Sequence, residues 1–208
     1  MVDIKVAVPV VILPNIVMDC VQFARRGSPL ATVRRLTVLL LAGGVGTVLG
    51  TRLLVLLSSR TATLVLGGFI CLFVVLNATP VSVRVPPTWE RWLAAPVGLI
   101  AGVVGGITNT PGTPLVIYFY ALGMAKQEFV SSIAFTFVGY KLVQLGAVAS
   151  YGLLTWPLVG VSLLLTVVAL VGFRLGLHLQ DRLEQRAFNR AVLLFLAALG
   201  VWLIVKVA

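Results

Sequence analysis

The sequence predicts an all-α, polytopic membrane protein built from inverted repeats, with about six full spans and one broken, re-entrant, glycine-rich hairpin. Three observations carry that reading. Of 208 residues, 60% are apolar and 11% charged, with a mean hydropathy of +1.10, which excludes an ordinary soluble domain and a disordered chain. The apolar residues fall into runs that suit membrane-crossing helices, which need about 20 residues each. One run is interrupted at its midpoint by Thr108, Asn109, Thr110, Pro111, Gly112, Thr113 and Pro114.

The first span is read over 4–24. It has no basic leader or small-residue cleavage site before it, so it reads as a mature span and not a signal peptide. Spans two and three follow at 35–57 and 61–79, and close a first half, 1–79. A connecting loop, 80–92, leads to a second half, 93–208. That half opens on the broken element, 93–106 followed by 114–123, and continues with spans at 128–152, 157–180 and 187–207. At about 1.5 Å per residue, neither arm of the broken element is expected to cross a core about 30 Å thick alone. Lipid tolerates irregular backbone only where protein or a water-filled cavity satisfies its N–H and C=O groups. A polar break at membrane depth therefore implies a cavity, as in the discontinuous helices of secondary transporters.

Charge chooses between a single crossing and a hairpin. Arg25, Arg26, Arg34 and Arg35 sit in the first loop, and Arg52 and Arg60 flank the second. Arg84 and Arg91 precede the broken element, and Lys126 follows it. Arg174, Arg182, Arg186 and Arg190 surround the last loop. With Lys5 and Lys206 included, a single crossing divides these basic residues seven against eight. A re-entrant hairpin divides them eleven against four. Only the second follows the positive-inside bias, and it puts both termini outside.

A repeat of opposed orientation should follow, and the sequence contains one. Val45-Gly46-Thr47-Val48-Leu49-Gly50-Thr51-Arg52-Leu53 aligns without gaps on Val171-Gly172-Phe173-Arg174-Leu175-Gly176-Leu177-His178-Leu179. Extended to Arg60 and Arg186, it gives seven identities in sixteen positions, including both glycines and the arginine. Such repeats are the architecture of many secondary transporters. The Gly-x-x-x-Gly steps also let helix backbones pack closely.

Other classes lack their chemistry. The +10 net charge lies mainly in short loops, where it encodes topology, and no nucleic-acid partner is expected. Cys20 and Cys71 sit in apolar runs, His178 has no companion for a metal or a triad, and no cofactor motif occurs. An enzyme is not expected, since no nucleophile with a base, carboxylate pair or metal cluster falls at membrane depth.

The run Gly98, Gly102, Gly105, Gly106 followed by Pro111, Gly112 and Pro114 resembles the Gly-rich hairpin of the TauE/SafE sulfite-exporter family of small membrane transporters. The opening span, with Pro9, Pro14 and Asn15, is similar to the helix that follows a first copy of that hairpin. The resemblance implies a permease in the cell membrane that moves sulfur-containing anions such as sulfite or sulfonates. The first hairpin itself would precede Met1, which suggests either an upstream start or a shortened member. A shortened member would close its cavity by homodimerisation or with a partner, and a non-transporting, partner-dependent paralogue is the alternative reading.

Candidate substrate residues cluster in two places. At the break, a helix beginning near Thr113 presents unpaired N–H groups and a positive dipole end, which favours an anion. Asn109, Thr110 and Thr113 add donors, and Gly112 permits close approach. In the span 128–152, Lys141 is an intramembrane charge flanked by Tyr140 and Gln144, and such charges face a cavity or a partner. The repeat shift relates Lys141 to Asn15, so the two should face one central site. Asp19, one turn after Asn15, is either a proton carrier or the partner that makes Lys141 tolerable. The hairpin topology predicts that Arg84→Cys and Lys126→Cys label from the same, cytoplasmic side with membrane-impermeant maleimide. Labelling from opposite sides would mean a single crossing and no inversion.

Overall fold

The computed structural model describes residues 4–24, 29–78 and 84–182, with 194, 197–199, 201–202 and 204–205 near the end. The expected last span, 187–207, lies largely outside them, as do Arg25, Arg26, Arg186, Arg190 and Lys206. Among the described residues seven helices follow in order: α1 (Ile4–Ala24), α2 (Pro29–Leu56), α3 (Ser59–Ala78), α4 (Pro87–Thr108), α5 (Gly112–Ala121), α6 (Lys126–Ser150) and α7 (Trp156–Arg182). Five of them carry stretches long and apolar enough to cross a membrane: Ile4–Ala24, Arg34–Leu56, Thr88–Thr108, Gln127–Ser150 and Trp156–Gly176. In α3 the apolar stretch among the described residues, Ser59–Leu72, is shorter.

The first arm of the broken element is longer than the sequence suggested. α4 has 22 residues, about 33 Å of helix, which is enough for the hydrocarbon core. The expectation that neither arm could cross alone therefore stands for α5 and fails for α4. The reason lies in Thr88-Trp89-Glu90-Arg91-Trp92, whose polar and aromatic character hid a helical turn. Pro87 at the helix start pre-sets the backbone there.

α2 and α4 form the centre of the fold. Gly98, Gly102 and Gly106 of α4 lie in turn against the backbone of Leu39, Gly43 and Thr47 of α2, so the two helices run parallel. Gly46 and Gly50 meet α4 in return, at the carbonyls of Leu99 and Val103. A Cβ on Gly98 or Gly106 would stand 2.5 Å from the carbonyl oxygen of Leu39 or Thr47. Five small residues thus let two backbones touch, the arrangement that drives helix association where lipid offers no hydrophobic gain. Thr47 and Thr51 are buried in the same seam and bond back to Gly43 and Thr47, each at 2.8 Å.

The hairpin folds back on itself. The Val85 N–H donates to the Ala121 carbonyl at 2.8 Å, and the Tyr118 hydroxyl to the Glu90 carbonyl at 2.8 Å. Arg35, at the foot of α2, holds Glu90 with two bonds, at 2.6 and 3.0 Å, and also bonds Glu128 at the foot of α6. The feet of α2, α4 and α6 are therefore tied together, and α5 returns the chain towards the level at which α4 began.

α1 packs on both α6 and α7. Pro14 has no N–H for the Val10 carbonyl one turn back, and the buried Ser162 of α7 supplies the missing donor at 2.6 Å. Gly102→Ala is expected to overpack the α2–α4 seam and to destabilise the protein by about 1–3 kcal/mol. Gly68→Ala, with open space around the position, should be neutral or stabilising by up to about 1 kcal/mol. Thermal unfolding of both variants in detergent tests the contrast.

Candidate functional site

The break is built by threonine and asparagine closing one helix and by prolines opening the next. At the end of α4 the Thr108 hydroxyl bonds the Val104 carbonyl at 2.7 Å. The Thr110 N–H returns to that hydroxyl at 3.2 Å, and the Thr110 hydroxyl donates to the Thr108 carbonyl at 3.3 Å. Asn109 takes the left-handed conformation, φ 58° and ψ 20°, and its N–H bonds the Gly105 carbonyl at 2.6 Å. Asparagine is one of the few residues that tolerate this cap. α5 then starts at Gly112 with no side-chain cap. Its first-turn N–H groups, lacking carbonyl partners within the helix, give the break a positive end.

The Asn109 side chain is the unexplained feature. The residue is 7% exposed. Among the described residues, its Nδ2 and Oδ1 are the buried side-chain polar atoms with no hydrogen-bond partner. Glycine would serve the left-handed cap equally well. Leaving a buried polar group unbonded costs about 1–3 kcal/mol. The cap therefore accounts for the backbone of Asn109 and leaves its carboxamide without a role inside the fold.

α6 forms the facing wall. Gln144, 1% exposed, donates to the Gly105 and Gly106 carbonyls at 3.2 and 3.0 Å, which anchors α6 one turn below the break. One turn towards the foot, the Lys141 ammonium pairs with Asp19 of α1 at 2.7 Å, the lysine side chain being 6% and the aspartate 19% exposed. The same ammonium lies 5.0 Å from the centre of the Phe137 ring, within cation–π range. The tip of that ring is in van der Waals reach of Gly112, 3.5 Å from where a Cβ would stand. Phe137 therefore touches both the buried cation and the opening turn of α5.

The structure brings Asn109, Gly112 and the buried Thr113 together at the break, with Thr110 exposed beside them. It sets Lys141 against Asp19, with Asn15 half-buried one turn away on α1. Tyr140 lies elsewhere: its hydroxyl donates to the Leu39 carbonyl at 2.9 Å, and its ring occupies the space above Gly43. It braces α6 against α2. Sequence reading missed Phe137, although an aromatic residue one turn before an intramembrane lysine is a readable cue. Among the described residues, no group of three or more His, Cys, Asp or Glu is placed to hold a metal ion.

The sequence model of the sulfite exporter TauE/SafE family matches residues 1–203. No curated protein and no solved structure matches the chain. The family match covers nearly the whole sequence, and the chain belongs to that family.

The pair Lys141–Asp19 sets a stability test. Lys141→Met should strand the carboxylate and destabilise the protein by on the order of 3 kcal/mol, since breaking a buried pair leaves an uncompensated charge. Removing both charges, in Asp19→Asn with Lys141→Met, should restore much of that loss. A double-mutant cycle of melting temperatures that proves additive would mean that the two charges do not interact.

Proposed function

We propose that this TauE/SafE member is a secondary transporter in the plasma membrane, and that it carries a small sulfur-containing oxyanion, sulfite or an organosulfonate, through the hairpin break. Membership of the family makes it a multi-pass membrane transporter of sulfite-type anions. The observation that carries the finer reading is the unbonded carboxamide of Asn109, buried at the uncapped start of α5. A bound oxyanion would accept from its Nδ2 and from the first-turn N–H groups of α5, relieving both deficits at once.

Gly112 lets the anion approach the backbone, and Thr113 and Thr110 border it. Lys141 contributes long-range positive charge from behind Phe137 and is the group that the anion would recruit. Gln144 fixes the break against α6, and Tyr140 holds α6 in place. Asn15 lies across from Lys141 on α1. The three-way tie of Arg35 to Glu90 and Glu128 supports a hairpin that enters and leaves on one side. The seven identities between 45–60 and 171–186 support inverted repeats. Both are features of alternating-access carriers.

Asn109→Gly keeps the left-handed cap and deletes the carboxamide. The variant should be as stable as the parent or more so. Sulfite flux into proteoliposomes should fall at least about tenfold, the equivalent of about 1.4 kcal/mol of lost binding. Undiminished flux with normal stability would remove Asn109 from the site.

A further inference from the structure

We infer that Asp19 is the proton site of this transporter and that the anion and one proton travel together, because both compete for the same ion pair. The inference rests on the anion site proposed above and adds its coupling. In the structure Lys141 is neutralised by Asp19 at 2.7 Å and by little else. Among the described side chains on the elements packed against α1, the titratable and charged groups are Lys141, Tyr140 and Glu128 of α6, Arg174 of α7, and Arg60 and Cys71 of α3. Among these groups, Lys141 alone forms an ion pair with Asp19. The Tyr140 hydroxyl is engaged by Leu39, Glu128 by Arg35, and Arg174 is exposed. Among the described residues Asp19 therefore depends on a single cation.

The anion seat lies on the other side of that cation's environment. Phe137 contacts the ammonium, at 5.0 Å from its ring centre, and reaches Gly112 at the start of α5. A lysine stem is long and flexible, so a swing past the edge of Phe137 moves the ammonium towards an anion held at Gly112 and Asn109. That swing leaves Asp19 as an isolated carboxylate in a low-dielectric interior. Such a charge is relieved by taking up a proton. The exchange balances: the ammonium–carboxylate pair, one monoanion and one proton become an ammonium–anion pair and a neutral Asp19 carboxyl. No net charge is added to the interior, which is what makes the step affordable in lipid. On release the anion departs, Asp19 gives up its proton to the same side, and the original pair re-forms.

The test counts protons on the purified, full-length protein in detergent. Sulfite is titrated by calorimetry in buffers of different ionisation enthalpy. Methanesulfonate is run beside it, because it remains singly charged across the neutral range and contributes no protons of its own. Binding of methanesulfonate, or of sulfite after correction for its own titration, should take up close to one proton per anion. In proteoliposomes, a pH gradient should drive anion accumulation. Asp19→Asn should still bind the anion, take up no proton, and no longer accumulate anion against its gradient. Its buried lysine has only the anion as a counter-charge, so sulfite should raise its melting temperature more than it raises the parent's. Anion binding without proton uptake in the parent overturns the inference and leaves the anion site intact. Persistent proton uptake in Asp19→Asn overturns it as well. Where Asp19→Asn does not fold, the proton count on the parent decides by itself. Failure of both anions to bind the parent removes the anion site, and the coupling with it.

Discussion

Backbone contact between α2 and α4 is the constraint on which the rest of the structure depends. Gly46 and Gly50 on one helix and Gly98, Gly102 and Gly106 on the other allow carbonyl oxygens to approach α-carbons across the seam. In lipid, apolar side chains gain little by leaving one apolar surface for another, so close packing must supply the association energy. Once α4 is fixed against α2, the break at Asn109 is fixed too. The feet are tied by Arg35, and Tyr140 bolts α6 to α2 across Gly43. The far end is then held by Gln144, whose amide reaches the carbonyls of Gly105 and Gly106. A side chain on either glycine would crowd this region: Gly105 already meets Pro111, and Gly106 meets Thr47.

Within that frame the polar groups divide into two kinds. Most are satisfied locally: the threonines bond back along their own helices, Ser162 completes the carbonyl freed by Pro14, and Thr108 with Thr110 closes α4. These bonds make irregular backbone tolerable at depth. The second kind is not resolved within the fold. Asn109 has a carboxamide without a partner, and Lys141 carries a charge balanced by one carboxylate from another helix. Phe137 lies between Lys141 and Gly112, three residues after Asn109.

Much of the fold was legible because hydrophobic runs and membrane helices share a length scale. The run at 4–24 is helical throughout as α1, and the break at 108–114 falls at the gap between α4 and α5. The start of α4 was not legible, since Trp89, Glu90, Arg91 and Trp92 look like loop when hydropathy is averaged. Helix formation needs only satisfied backbone, which polar and aromatic residues at an interface permit. The site was legible in kind more than in detail. An intramembrane lysine demands a partner, and Asp19 was one of two roles the sequence left open. It could not reveal that the Tyr140 hydroxyl is bonded to Leu39 while its neighbour Lys141 reaches α1. Adjacent residues on a helix point about 100° apart, and which face meets which helix is a tertiary fact. Phe137 went unnoticed for the same reason: aromatic residues are common in lipid-facing and core positions alike.

A contrast in stiffness between the two parts of the site follows from these contacts. The hairpin tip is bound by short-range ties on three sides, and its donors are mostly backbone groups that cannot rotate independently. Such preorganised dipoles bind an anion without a reorganisation cost. Lys141 is different. Its ammonium sits at the end of four methylenes, between an aromatic face and one carboxylate. A transporter needs both properties, a seat rigid enough to select and a charge mobile enough to report occupancy to another helix. Here the rigid part is the break between α4 and α5, and the flexible charge of Lys141 is paired to α1. Since α1 is joined to α7 through Ser162 and Val10, the partner of Lys141 belongs to a pair of helices outside the glycine seam. The α1–α7 pair and the α2–α4–α5 block thus meet at α6, which packs on both α1 and α2 and carries the lysine that pairs with α1.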